Sequence, residues 1–281
     1  MVNIMNVKLE VLCNAKNMLG EGPYYKDGTI SWVDIVGRKL CVFDGGLKTV
    51  SFNEKISASI PLVSSGYLVF GEKTIYLYKN NNIEEYIKLD SIMKKGMRPN
   101  DAKIDCKGRI WFSTMMDDGI SKPEGGLYCI DNSEIIFKEH TKLGNGLAWN
   151  KNNDKFYFID SAEHKVYVYD YDLDKGAISN RKVLFEINDG APDGMTIDDN
   201  DNLFVAVWGG KRIEVRSGIK GDLLDTINIP TELVTSCTFS SNEYNELIIT
   251  TAKLDKDDEY AGCVFKTIIN YQGRKEQFFK A

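Results

Sequence analysis

Apolar and polar residues alternate in short runs along the whole chain, and each run closes on a turn. Runs begin near Gly28 (GTISWVDI), Gly66 (GYLVF), Gly108 (GRIWFST), Asp154 (DKFYFID), Asp201 (DNLFVAV) and Asn245 (NELIIT), at spacings of 38 to 47 residues. Alternation with a period of two, rich in Val, Ile, Tyr and Phe, predicts half-buried strands. In NDKFYFIDSAEHKVYVYDYDLDKGAIS three strands follow one another, joined by turns at residues 161–164 and 174–176. Helical periodicity is weak throughout; residues 83–93 could hold a turn or two of helix but read rather as running through blade and loop. A unit of about 45 residues with four strands, repeated six times, describes a β-propeller. The pattern therefore predicts an all-β chain, a six-bladed β-propeller of four-stranded antiparallel blades, with residues 1–281 as one domain. The amino-terminal segment MVNIMNVKLEVLC also alternates, and is expected to close the ring by pairing into the last blade.

A second pattern lies within the first. Seven to nine residues before a run start stand Glu21, the pair Asn100 and Asp101, Asn145, Asp193 and Ser236. A small residue follows each: Gly22, Ala102, Gly146, Gly194 and Cys237. Asn-Gly and Asp-Gly are common in tight turns, but a polar residue kept at one phase of a repeat lands at one height of one ring. Small residues there let the crowded innermost strands approach one another. The phase thus points to polar side chains converging at the mouth of a central channel. Glu21 and Asp193 supply carboxylates and Asn145 an amide oxygen, a donor set that suits a hard divalent cation.

Composition narrows the chemistry. The chain has 281 residues and a formal net charge of -6, and its Lys and Arg residues form no basic stripe that would track phosphates. Nucleic acid is not expected as a partner. No run approaches the length of a membrane span, and the start lacks the basic and apolar segments of a signal peptide, so no membrane association and a cytoplasmic location are expected. Six cysteines without a CxxC spacing read as reduced, partly buried thiols. Only two histidines are present, His140 and His164, at unrelated phases of the repeat. A Ser-His-Asp triad is hard to build from them, and no GxSxG elbow occurs. The acidic stretches at 198–202 and 172–176 do not complete an EF-hand loop and read as inter-strand turns. The four tryptophans, Trp32, Trp111, Trp149 and Trp208, recur within the repeat and read as blade packing, with pocket-edging as the alternative for Trp208 in VWGG after a strand.

The segments LGEGPYY, RPNDAKID with KGRIWFSTM, NGLAW with FYFIDS, PDGMTID and TSCTF resemble the regucalcin (senescence marker protein)/gluconolactonase family of six-bladed propeller lactonases, in order and over nearly the whole chain. That resemblance implies Glu21, Asn145 and Asp193 as ligands of one divalent metal ion, Ca²⁺ first, with Zn²⁺, Mn²⁺ or Mg²⁺ as other occupants. It implies Asp193 as general base, and Arg98, Asn100 and Asp118 as substrate-binding residues, with Asp101 beside them. Family members commonly carry Glu where Asp118 aligns; Asp is shorter by one methylene, and Asp117 stands next to it as a substitute.

The function implied is metal-dependent hydrolysis of a sugar lactone, glucono-1,5-lactone or a related aldonolactone, to the aldonic acid, a step of carbohydrate metabolism following a sugar dehydrogenase. The small-molecule lactone is the expected partner. Three alternatives stand beside it: a calcium-binding regulatory propeller without turnover, a protein-interaction scaffold, and a metal-dependent esterase or phosphotriesterase of the same fold. An apolar pocket would favour the last; Arg98, Asn100 and Asp118 suggest a polyol. Two hydrophilic connections, residues 117–126 and 253–262, are expected to cover the channel mouth as a lid.

Overall fold

A computed structural model describes residues 3–118, 124–254 and 258–281. The alternating runs form six sheets, each with four antiparallel blade strands counted from the axis outward, and in five of them these four are consecutive in the chain. The innermost strands are Gly20–Lys26, Ala58–Pro61, Met97–Ile104, Gly144–Trp149, Ala191–Ile197 and Val234–Ser240, which define blades 1 to 6. Each of these strands touches the corresponding strand of the next blade, and the sixth touches the first, so the ring closes. The six-bladed, four-stranded propeller predicted from the repeat is the observed fold.

Blade 6 borrows its outermost strand from the other end of the chain. Glu10–Cys13 runs antiparallel to Val264–Ile268, with Glu10 opposite Lys266 and Val11 opposite Phe265. The amino-terminal alternation thus closes the ring as expected. Asn3–Ile4 adds a short parallel pairing outside blade 5, against Asp225 and Thr226, of which the sequence pattern gives no sign. The stretch at 83–93 is a strand, Asn82–Lys88, followed by turns, with no helix in it.

Burial follows the alternation. One face of each strand packs against the next blade, and an apolar cluster sits at every blade junction: Val33, Leu40 and Val69 between blades 1 and 2, for example, and Phe204, Phe239 and Phe265 between blades 5 and 6. Trp32 and Trp111 are fully buried and Trp149 nearly so. Burying a side chain of this size contributes about 1.5–3 kcal/mol against leaving it exposed, which makes the junctions the main source of ring stability.

The last residues cross one end of the channel as a strap. Gly273 bridges to Asp198 and Phe279 to Leu62. Between these points Glu276 meets Lys103 Nζ at 2.7 Å and accepts a hydrogen bond from Thr196 Oγ1 at 3.2 Å, while Arg274 donates to the Trp149 carbonyl at 3.0 Å. All these partners lie at the carboxyl ends of innermost strands. The polar residues picked out by the repeat lie at the amino ends, on the opposite mouth.

Candidate active site

The innermost strands do not run in simple register. Pairing with the second strand shifts between Glu21 and Tyr24, between Pro99 and Ala102, between Gly144 and Leu147, between Pro192 and Met195, and between Val234 and Ser236. Each shift coincides with a residue of the repeating polar phase. A bulge adds a residue to one strand, bends it and re-aims a side chain. Blade 2, where the phase supplies no polar residue, pairs Ala58–Pro61 with Tyr67–Phe70 without a shift. The polar-then-small pairs in the sequence are therefore the signature of bulges that turn side chains toward the axis.

The small residues act in two ways. A Cβ on Gly194 would sit 2.2 Å from Ser236 Oγ, and one on Gly146 would sit 2.8 Å from the Met195 nitrogen, so close strand approach requires glycine at both. Gly22 has open space around it but a φ of +54°, a left-handed conformation that glycine adopts without steric cost.

Four of the bulges deliver their polar side chains to one cavity of about 420 Å³, lined by Glu21, Arg98, Asn100, Asn145 and Asp193 together with Asp117, Asp118 and Ser161. On its floor Asn145 Nδ2 donates to Asp193 Oδ1 and, at 3.1 Å, to Ser161 Oγ. Ser161 Oγ in turn donates to the Pro192 carbonyl at 2.6 Å, fixing the hydroxyl between blades 4 and 5. On the blade 3 side Arg98 is 5% exposed. Its Nη1 donates to Asn100 Oδ1 at 2.8 Å, to the Pro99 carbonyl at 2.9 Å and to Ser57 Oγ at 3.3 Å, and its Nε donates to Asp117 Oδ1 at 2.9 Å. Asn100 Nδ2 donates to the Gly144 carbonyl at 2.9 Å, tying blade 3 to blade 4. Lys55 Nζ closes the chain of charges on Asp117 Oδ2 at 2.5 Å.

Negative charge dominates the floor. Burial, then the neighbouring charges of Asp193 and Asp101, push the Glu21 carboxyl well above the ordinary carboxylate range. Asp193 is pushed up likewise, by burial and by Asp101; the Asn145 amide, Arg98 and a hydrogen bond with Glu21 pull the other way without cancelling the rise. Arg98 is the cation whose field reaches both. Buried carboxylates without enough positive charge take up protons or a cation.

The donor set fits a hard dication. Two carboxylates and one amide face one another, with water free to complete a shell. Among the described residues no cluster of three or more His, Cys, Asp or Glu side chains suits a metal. The candidate site relies on an amide for its third ligand, and thiolate or imidazole coordination has no donors in the cavity. Zinc, which normally takes such donors, suits it less well than calcium on these grounds.

Several expectations resolve differently. Asp117 lines the cavity with both oxygens engaged, one by Arg98 and one by Lys55. Asp118 lines the cavity. Asp101 does not line the cavity; it accepts from the Ala102 nitrogen at 2.7 Å, and its carboxyl feels the charges of Lys103 and Glu276. Ser236 is buried against Gly194 and does not line the cavity. Trp208 does line it, at the end of a blade 5 strand. His140 is exposed and His164 Nδ1 lies 2.9 Å from the Gly190 carbonyl and 3.0 Å from that of Ile187, a turn contact outside the cavity. Asp198 likewise bonds the nitrogens of Asn200 and Asn202 within a turn. The proposed lid includes residues 119–123 and 255–257, which lie outside the described residues.

Sequence reasoning missed Ser57, Lys55 and Ser161. Ser57 had a legible signal, since it precedes the innermost strand of the one blade whose phase lacked a polar residue. Ser161 follows FYFID directly, and Lys55 lies in a connection with no pattern at all.

A family model described as the SMP-30/Gluconolactonase/LRE-like region matches residues 19–253. Regucalcin of Danio rerio is 32% identical over 278 residues, covering 93% of this chain and 94% of its own. A Bacillus subtilis protein named "Putative sugar lactone lactonase YvrE" is 32% identical over 250 residues, 85% of each chain. The solved structure of an Agrobacterium tumefaciens regucalcin, described as a calcium-binding protein, superposes over the whole of both chains with a TM-score of 0.93 at 20% identity, a likeness of fold. With five-sixths of its length inside the family model, and 32% identity to a regucalcin over nearly all of both chains, this chain belongs to the SMP-30/Gluconolactonase/LRE-like family.

Proposed function

We propose that this chain is a lactonase, hydrolysing the ring ester of a sugar-derived lactone to the open hydroxy acid. The observation that carries this reading is the convergence of Glu21, Asn145 and Asp193 on the floor of the same cavity that holds Arg98 and Asn100. An ion binder has no use for a guanidinium and an amide fixed beside its ligands. The kinship with YvrE supports the same class, and the calcium-binding description of the structural neighbour supports Ca²⁺ as the first cation to test.

Glu21, Asn145 and Asp193 would hold the cation, which when bound supplies Lewis acidity at the ester carbonyl. The protein's own groups do the remainder. Arg98, fixed by Asp117 and Asn100, directs positive charge and N–H donors toward the oxygen that gains charge as water adds, and costs no reorganisation because its rotamer is already set. Asp193 accepts the proton of the attacking water. The leaving alkoxide remains tethered to the acyl group in a lactone, so no second substrate or covalent nucleophile is needed.

The test is proton release from glucono-1,5-lactone by chelator-stripped protein, with Ca²⁺, Mn²⁺, Mg²⁺ and Zn²⁺ restored singly and spontaneous hydrolysis subtracted. Activity is expected to return with at least one metal. Asp193→Asn and Asn145→Ala are each expected to lower kcat by about a hundredfold or more while the far-UV circular dichroism is unchanged. Wild-type rates in either folded variant would show the site to be misassigned.

A further inference from the structure

The charged groups of the cavity come from several blades, Glu21 from blade 1, Arg98 and Asp117 from blade 3 and Asp193 from blade 5, but its large apolar side chains gather mainly on one arc of the ring. Its blade 3 wall carries Arg98, Asn100, Asp117 and Asp118. In a ring of six, blade 6 stands opposite blade 3 with blades 5 and 1 on its flanks. Beside the carboxylates Glu21 and Asp193, those three blades give the cavity Trp208, Leu254, Leu19 and Ile35. Ile35 is 2% exposed and belongs to the junction core, so this wall is continuous with the protein interior.

Part of the polar wall is already committed within the protein. Asn100 spends Oδ1 on Arg98 and Nδ2 on the Gly144 carbonyl. Asn145 Nδ2 is shared between Asp193 and Ser161, and Asp117 is held by Arg98 and Lys55. A lactone with a hydroxyl on every ring carbon would place several of them against Trp208, Leu254, Leu19 and Ile35, where each loses its water and finds no partner. A hydrocarbon substituent in that position loses nothing and gains burial.

We infer that the preferred substrate is a lactone whose ring ester faces blades 3 and 4 and whose far side carries an apolar alkyl or aryl substituent, seated on Trp208, Leu254, Leu19 and Ile35. The inference rests on the lactonase reading and narrows it from sugar lactones toward less hydroxylated ones. Trp208 and Leu254 then act as specificity determinants, touching the substituent and not the ester.

The test compares kcat/KM of the metal-loaded protein on three six-membered lactones: glucono-1,5-lactone, δ-valerolactone, and δ-decalactone, which adds a pentyl chain. The pentyl lactone is expected to exceed each of the others by about tenfold or more, as burial of even a single methylene in a fitted pocket can give. Trp208→Ser, and separately Leu254→Ser, are expected to reduce that ratio severalfold. A ratio at or below one, or a ratio unmoved in both folded variants, overturns the inference while leaving the enzyme a lactonase. Calorimetric binding of the hydrolysis-resistant lactams, 6-pentylpiperidin-2-one against piperidin-2-one, separates the two readings. If no lactone turns over, the lactonase reading fails, and the apolar wall is then judged by the lactams: tighter binding of the pentyl form upholds it, and equal binding overturns it.

Discussion

Asp101 shows how a residue can matter to the cavity without lining it. It sits beside Asn100 at the bulge, and its charge acts on both Glu21 and Asp193. Its own carboxyl is raised from 3.8 to about 6, chiefly by burial. The folded state therefore binds this proton more tightly than the unfolded chain does. Its contribution to stability is fully present below pH 3.8 and is lost as the pH rises through about 6. Chelator-stripped Asp101→Asn is expected to be more stable than wild type at pH 7, by at most about 3 kcal/mol, with no advantage at pH 3.5. Urea midpoints at the two pH values check this; an equal difference at both would remove Asp101 as the source. Residues such as Glu21, Asn145 and Asp193 were legible individually because each is polar, precedes a small residue and recurs at one phase. The pairing of Asp117 with Arg98 and Lys55 was not, since nothing in adjacent aspartates says which of them meets a guanidinium.

The element that makes the site is the bulged innermost strand. A regular strand would alternate its side chains between the two faces of the blade, both already committed to the apolar junctions. The extra residue at the bulge frees one side chain to point along the channel. The tight packing of neighbouring bulges predicts that Gly194→Ala disturbs more than its own position. Its Cβ would collide with Ser236 across the blade 5 to blade 6 contact and displace Asp193 next to it. A loss of about 1–3 kcal/mol is expected, measured by denaturant unfolding, together with a fall in kcat of tenfold or more. Gly22→Ala meets no atom and is expected to cost about 1–2 kcal/mol through its left-handed φ alone. Strand positions were readable from alternation with a period of two. The bulges were visible only indirectly, as the polar-small pairs, because a single added residue changes register without changing composition.

For the whole molecule, both chain ends serve the ring. Residues 10–13 complete blade 6, and the carboxyl-terminal strap spans the channel end away from the site, seating Phe279 in the junction of blades 2 and 3 at 7% exposure. Phe279→Ala is expected to lower stability by about 3 kcal/mol or more, from lost transfer energy and the cavity left behind, while KM stays near wild type because the strap is remote from the cavity. A thermal melt and a lactone titration check the two halves; an unchanged Tm would mean the strap does not hold the ring. Among the described residues no helix is long and apolar enough to cross a membrane. The sequence by itself determined the propeller, its six blades, the closure by the amino-terminal strand and the height of the polar ring, because these depend on local period and on a repeat that copies the same local rule. Only the tertiary structure decided which polar groups are already engaged and that the large apolar side chains of the cavity gather mainly on one arc. Leu19, Ile35, Trp208 and Leu254 come from three blades and four strand ends, and no local pattern marks side chains that meet only once the ring has closed.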